Sequence, residues 1–212
     1  MKKKESQFQP GAVRYLLFTL ISMAAGIASA GLFFAKWLRL AGTEYSVPQF
    51  YQAATNLQSQ LQDWSQQFAS ITSIQVPVEI PELDQVRIGA LVFMALAAIL
   101  VLLQVVYVFK ILFGNGGRGV GITAGLLTAV LSLVVVALLF WTTGQLNEQL
   151  APVNEALNTL ATAYDGLSGV LQNALPSVDL SALHLDANEL IQVTVFPYVT
   201  AVLGVVEAIF AR

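Results

Sequence analysis

Ile88–Phe113 reads IGALVFMALAAILVLLQVVYVFKILF, and Val120–Thr142 reads VGITAGLLTAVLSLVVVALLFWT. Only Gly114-Asn115-Gly116-Gly117-Arg118-Gly119 separates them. Each run exceeds the ~20 apolar residues a helix needs to cross a bilayer core. So short a connection makes the two helices turn back on each other as an antiparallel pair. The rest of the chain is arranged around that pair, with a further apolar run and an amphipathic stretch on either side.

Composition supports the same class. Hydrophobic residues make up 56% of the 212-residue chain and charged residues only 11%. Soluble domains carry about 25% charged residues, so the deficit marks a membrane protein. A net charge of -3, with no basic cluster beyond Lys2-Lys3-Lys4, points away from a nucleic-acid partner. There is no cysteine, which excludes disulfides, thiolate metal sites and cysteine nucleophiles. Large external loops without disulfides fit a bacterial cytoplasmic membrane better than a eukaryotic surface.

Residues 1–13 read as a cytosolic tail with Lys2, Lys3 and Lys4, and residues 14–39 as the first transmembrane helix. Ala28-Ser29-Ala30 also suits a signal-peptide cleavage site. The apolar run continues through Gly31-Leu32-Phe33-Phe34, which favours a retained span. Trp37, between Lys36 and Arg39, suits an interfacial anchor.

Residues 40–87 form a first loop. Ser46-Val47-Pro48-Gln49 has the residues of a capping box with proline in the first turn. An amphipathic helix over 47–73 follows, with Phe50, Ala54, Leu57, Leu61, Trp64, Phe68 and Ile71 at alternating steps of four and three. Glutamines and asparagine cover its other face. Val76-Pro77 and Ile80-Pro81 then enforce an extended return to the membrane.

The second half repeats this order. After the spans at 88–113 and 120–142, a loop over 143–190 carries a heptad helix at 146–173 through Leu146, Leu150, Val153, Leu157, Leu160, Tyr164, Leu167 and Leu171. Pro152 stands early in it and leaves open whether it continues the third span. Residues 191–211 supply the fourth span, with Pro197 and Glu207 inside. Leu83-Asp84-Gln85-Val86 and Leu190-Ile191-Gln192-Val193 occupy matching places. The expected fold is therefore an all-α membrane protein: four transmembrane helices in two span–heptad helix–span units under a cap of two amphipathic helices. The layout is similar to tetraspan proteins of the tetraspanin and claudin kind in topology alone. Their cysteine motifs are absent, and no site residue is carried over.

Lys2, Lys3, Lys4, Arg14, Lys110, Arg118 and Arg212 fall on the side of the N-terminus, and Lys36, Arg39 and Arg87 on the other. That bias places both termini and residues 114–119 in the cytosol and both large loops outside.

Three groups of residues are candidates for function. Ser22, Gly26 and Ala30, and Gly117, Gly121 and Gly125, are small residues four apart, the pattern for close helix packing in lipid. Contacts within the bundle account for them more simply than contacts between subunits. Phe50, Leu57, Leu61, Trp64, Phe68, Leu150, Leu157, Leu160 and Tyr164 form the cap interface. Gln104 is a candidate for a polar path, against the simpler reading of one interhelical hydrogen bond. Glu207, one turn from the C-terminal residues, is expected to snorkel to the cytosolic interface. His184 lies near Asp179, Asp186 and Glu189 but lacks metal-ligand spacing. No phosphate-binding loop or nucleophile–base pair occurs. The expectation is a non-enzymatic assembly or accessory subunit without cofactor or metal, its partners being membrane lipid and other membrane subunits. The alternative is a homo-oligomeric pore or transporter with an acidic outer vestibule.

Overall fold

A computed structural model describes residues 10–72, 83–113, 117–171, 184 and 186–211. The chain is mostly helical. In order, it forms α1 (Pro10–Leu32), β1 (Lys36–Leu40), β2 (Thr43–Ser46), a 3-10 turn (Val47–Gln49) and α2 (Phe50–Thr72). Then come α3 (Leu83–Leu112), α4 (Arg118–Leu171), α5 (Ala187–Leu190), β3 (Ile191–Val193) and α6 (Phe196–Phe210).

Three helices are long and apolar enough to cross a membrane, over Val13–Leu32, Arg87–Leu112 and Arg118–Thr162. Leu16 and Leu17 on α1, Leu102 on α3, and Leu133 on α4 point outward, as spans in lipid require. α6 is apolar but only 15 residues long.

The first departure from the sequence reading lies at 33–46. The expected span over 14–39 ends instead at Leu32, and Lys36–Leu40 is a strand. It is the centre of a three-stranded antiparallel sheet of order β2-β1-β3. A bulge between Lys36 and Leu38 lets both Trp37 and Leu38 point inward. β1 and β2 are joined by Ala41 and Gly42, both at positive φ (44° and 81°). A two-residue hairpin loop needs that geometry to match strand twist.

Trp37 is accordingly no interfacial anchor. It is fully buried, and its indole N–H donates to the Leu32 carbonyl at 2.6 Å, satisfying one orphan group at the end of α1. Its ring stacks on Phe33 and tilts against Phe93, which stacks on Phe50. These four rings tie α1, the sheet, α2 and α3 into one core.

The second departure is α4, a single helix of 54 residues. No break separates the third span from the second heptad stretch. Leu146, Leu150 and Leu157 stay buried on one side. Pro152 is exposed, where water can satisfy the carbonyl its ring frees.

The two halves therefore differ. The first inserts a hairpin between its span and its heptad helix; the second runs straight through. Leu83–Val86 starts a helix, whereas Leu190–Val193 closes a helical turn and forms a strand. The proline-bearing return at 76–82 lies outside the described residues.

Candidate functional site

Two regions stand out, one where α1, α3, α4 and α6 meet and one beside the sheet. At the end away from the sheet, α1, α3, α4 and α6 pack closely. α4 and α6 touch backbone to backbone: a Cβ at Gly125 would lie 2.5 Å from the Gly204 carbonyl oxygen, and one at Gly204 would lie 2.5 Å from that of Gly125. Cβ atoms at Gly117 and Gly121 would strike the Tyr107 ring at 2.8 and 2.5 Å. The predicted stripe of Gly117, Gly121 and Gly125 is thus used inside the chain. So is that of α1, where Ser22 and Gly26 are buried and Ala30 is partly so.

Into this close contact the chain puts its most polar buried side chains. Gln104 Nε2 donates to Glu207 Oε2 at 2.6 Å. Ser22 Oγ donates to the Glu207 backbone carbonyl at 2.9 Å and lies 2.6 Å from Tyr107 Oη, so the phenol donates to the serine. Gln104 and Tyr107 are one turn apart on α3, as are Ser22 and Gly26 on α1, and each pair shares a face. Gly26 makes the room. A Cβ there would meet Gln104 Oε1 at 2.5 Å and Glu207 Oε1 at 3.0 Å. Those two oxygens have no hydrogen-bond donor among the described residues.

Glu207 therefore does not snorkel. It is fully buried, directed into the bundle and held by Gln104. The sequence expectation failed because it weighed chain position and ignored which face of α6 carries the residue. Gly204, Glu207 and Ala211 share one face with Ala201 and Thr200, and all are buried. Small residues on that face were the available signal. Gln104 lies in this closed knot, between α1 and α6.

At the sheet end, α2 lies against α3. Phe50, Leu57 and Trp64 share one buried cluster with Leu146, Leu150 and Leu157. The capping box forms, with Gln49 Oε1 accepting from the Ser46 backbone N–H at 3.1 Å. Asn147 Oδ1 accepts from the Ala187 N–H at 3.1 Å, and so joins α5 to α4. Leu160 departs from the heptad expectation: it is 39% exposed, against 2% for Leu157. The side chains of Leu61, Phe68 and Tyr164 lie outside the described residues.

Beside this core is a cavity of about 290 Å³, bounded by β1, α2, α3 and α4. Phe50, Leu57, Phe93, Leu139 and Leu146 wall it, and Ala53, Ala54, Gly89 and Ala90 leave the space. Its polar lining is Thr142, Gln145 and Gln149, all on α4.

Among the described residues, no group of three or more potential metal ligands occurs, and His184 is exposed. Arg39 and Glu44 pair at 2.6 Å across the hairpin, both well exposed; a pair in that setting contributes little. Compared with protein-family models, curated proteins and solved structures, the chain matches none.

Proposed function

We propose that this chain is a non-enzymatic integral membrane accessory or assembly subunit, whose cap engages another membrane polypeptide or a second copy. The observation that carries the reading is α4. At ~1.5 Å per residue, its 54 residues run about 80 Å, more than twice a ~30 Å bilayer core. The part beyond Thr142 projects some 40 Å without a break. The apolar stripe on that projection is covered at Leu157 and uncovered at Leu160. We place a partner helix against that exposed leucine, which the apolar face of such a helix would cover.

The membrane arrangement we propose has four spans, both termini cytosolic and the cap outside. α6 is short, at about 22 Å. Two contacts support it as the fourth span. β3 pairs with β1, which fixes its start at the end of α1. Ala211, just past its end, lies beside Gly121, near the start of α4. The excess of Lys and Arg on the terminal side supports the orientation. Single cysteines at Ser59→Cys and Gly116→Cys test it in this cysteine-free chain. An impermeant thiol reagent on intact cells should label the first only.

The experiment for the function is copurification in mild detergent. A second polypeptide, or a second copy, should accompany the chain and be lost with Leu160→Asp. Buried Glu207 favours one other reading, a transporter, since ionisable groups inside a membrane often serve transport. Proteoliposomes of the chain alone should be silent under that test; an ion flux abolished by Glu207→Gln would establish transport instead.

A further inference from the structure

The cavity between the sheet and the outer ends of α3 and α4 has a feature that points to its occupant. Leu138 and Trp141 line it, and both are also more than half exposed, at 54% and 55%. The same two side chains thus face the hollow and the surface at the level where α4 leaves the apolar span. The hollow therefore reaches the surface beside these two side chains. Thr142, Gln145 and Gln149 follow on α4 at steps of three and four, so they form one polar edge. From the membrane outward the order is apolar throat, apolar hollow, amide rim.

We infer that this hollow holds one acyl chain of a glycerophospholipid from the cap-side leaflet, with Gln145 and Gln149 meeting its ester or headgroup region. The wall chemistry decides against water. Away from its amide edge, a space lined by Phe50, Leu57, Phe93 and Leu139 offers a water molecule too few of the polar partners it needs. An empty hollow of this size forfeits dispersion contacts on every wall. Bilayer chains are the apolar species always present at the throat. The volume corresponds to about ten water-sized units of ~30 Å³, which suits part of one chain and not a whole lipid. Amides on one edge suit the polar end of a molecule whose tail lies inside. This inference needs the chain to span a membrane but not to have a protein partner, so copurification and lipid binding can fail independently.

The test uses the full chain in phosphatidylcholine vesicles doped with a phosphatidylcholine carrying a photoreactive diazirine midway along one acyl chain. After irradiation, crosslinked peptides are mapped by mass spectrometry. Adducts are expected on buried wall residues such as Leu57 and Phe93, besides those on lipid-facing positions such as Leu102. Gly89→Leu should reduce the wall adducts at least five-fold and leave those at Leu102 unchanged. A Cβ at Gly89 meets no atom within 4 Å, so the variant has room to fold. Ala53→Leu fills the hollow from the opposite wall and should act alike. Adducts confined to lipid-facing positions, or wall adducts that both filled variants retain, would overturn the inference. So would crosslinks from the wall residues to a second polypeptide in place of lipid.

Discussion

The knot around Glu207 and the hollow beside the sheet occupy different parts of the chain and solve opposite problems. In the knot, glycines bring α4 and α6 so close that a single Cβ would collide with backbone, and leave room for the side chains of Tyr107, Gln104 and Glu207. Polar groups are buried there, and each needs a partner because lipid supplies none. In the hollow, small residues face one another without closing the gap, and apolar walls surround unfilled volume. Small side chains therefore produce contact where two helices present them to each other and are free to approach. They produce a cavity where other anchors hold the elements apart. The rings of Phe33, Trp37, Phe93 and Phe50 are those anchors at the sheet end.

This contrast can be broken by substitutions of similar size at the two ends. The largest effect is expected for Gly125→Val. Its Cβ would meet the Gly204 carbonyl oxygen at 2.5 Å and the Ala208 amide nitrogen at 2.8 Å, neither of which can move without separating α4 from α6. The loss should exceed about 3 kcal/mol, as for severe overpacking. It would be read as lower resistance to unfolding in a detergent titration. Tolerance of valine would mean that α6 is not seated on α4.

Gln104→Leu comes next. It removes the only hydrogen bond to the Glu207 carboxyl among the described residues, and leaves that buried group without a donor among them. The cost should be about 3 kcal/mol, the upper range for an unsatisfied buried polar group. Glu207→Gln is the matched control. Its new amide can accept from Gln104 Nε2 and donate to Gln104 Oε1, which now lacks a donor. That variant should be neutral or slightly stabilising in the same titration. Equal damage from both would mean that the carboxyl itself, and not hydrogen-bond satisfaction, holds the knot.

At the other end, Gly89→Ala should stabilise by about 1 kcal/mol. Glycine in a helix interior is less favourable than alanine by that amount, and the added methyl enters open space. Gly26→Ala, in the knot, should destabilise instead. A shared sign would remove the distinction between the two ends. The smallest effect is expected at Ala41→Asn in the hairpin. Ala41 sits at φ 44°, a region that costs an ordinary residue about 1 kcal/mol and that asparagine tolerates better. A rise of a few degrees in the thermal midpoint would register it.

Much of this architecture was legible in the chain. Apolar length marked α1, α3 and α4, because hydrophobic runs report on lipid directly. The capping residues at Ser46 and Gln49 and the heptad positions Phe50, Leu57, Trp64, Leu150 and Leu157 were legible because local geometry and helical period are written in local sequence. The sheet was not. Lys36–Leu40 and Ile191–Val193 pair across about 150 residues, and a strand that short beside a span looks like the span's end. Trp37 was misplaced for the same reason: flanking charges suggested an interface, while a bulge turned its ring inward. The continuity of α4 was left open by Pro152, whose cost depends on whether its face is wet. Gln104, Tyr107, Ser22 and Glu207 were each visible as polar residues in or near spans. That they converge is a property of how the four helices rotate and cross.

The central claim is that the strut formed by α4 completes itself with another polypeptide. Native mass spectrometry of the complex extracted from its own membrane in mild detergent tests it most directly. The account predicts a mass greater than one 212-residue chain with bound lipid, a second polypeptide or second copy in the assembly, and its loss with Leu160→Asp. Wild-type protein that emerges only as a single chain, under conditions where Leu157 remains protected and the bundle intact, would contradict it.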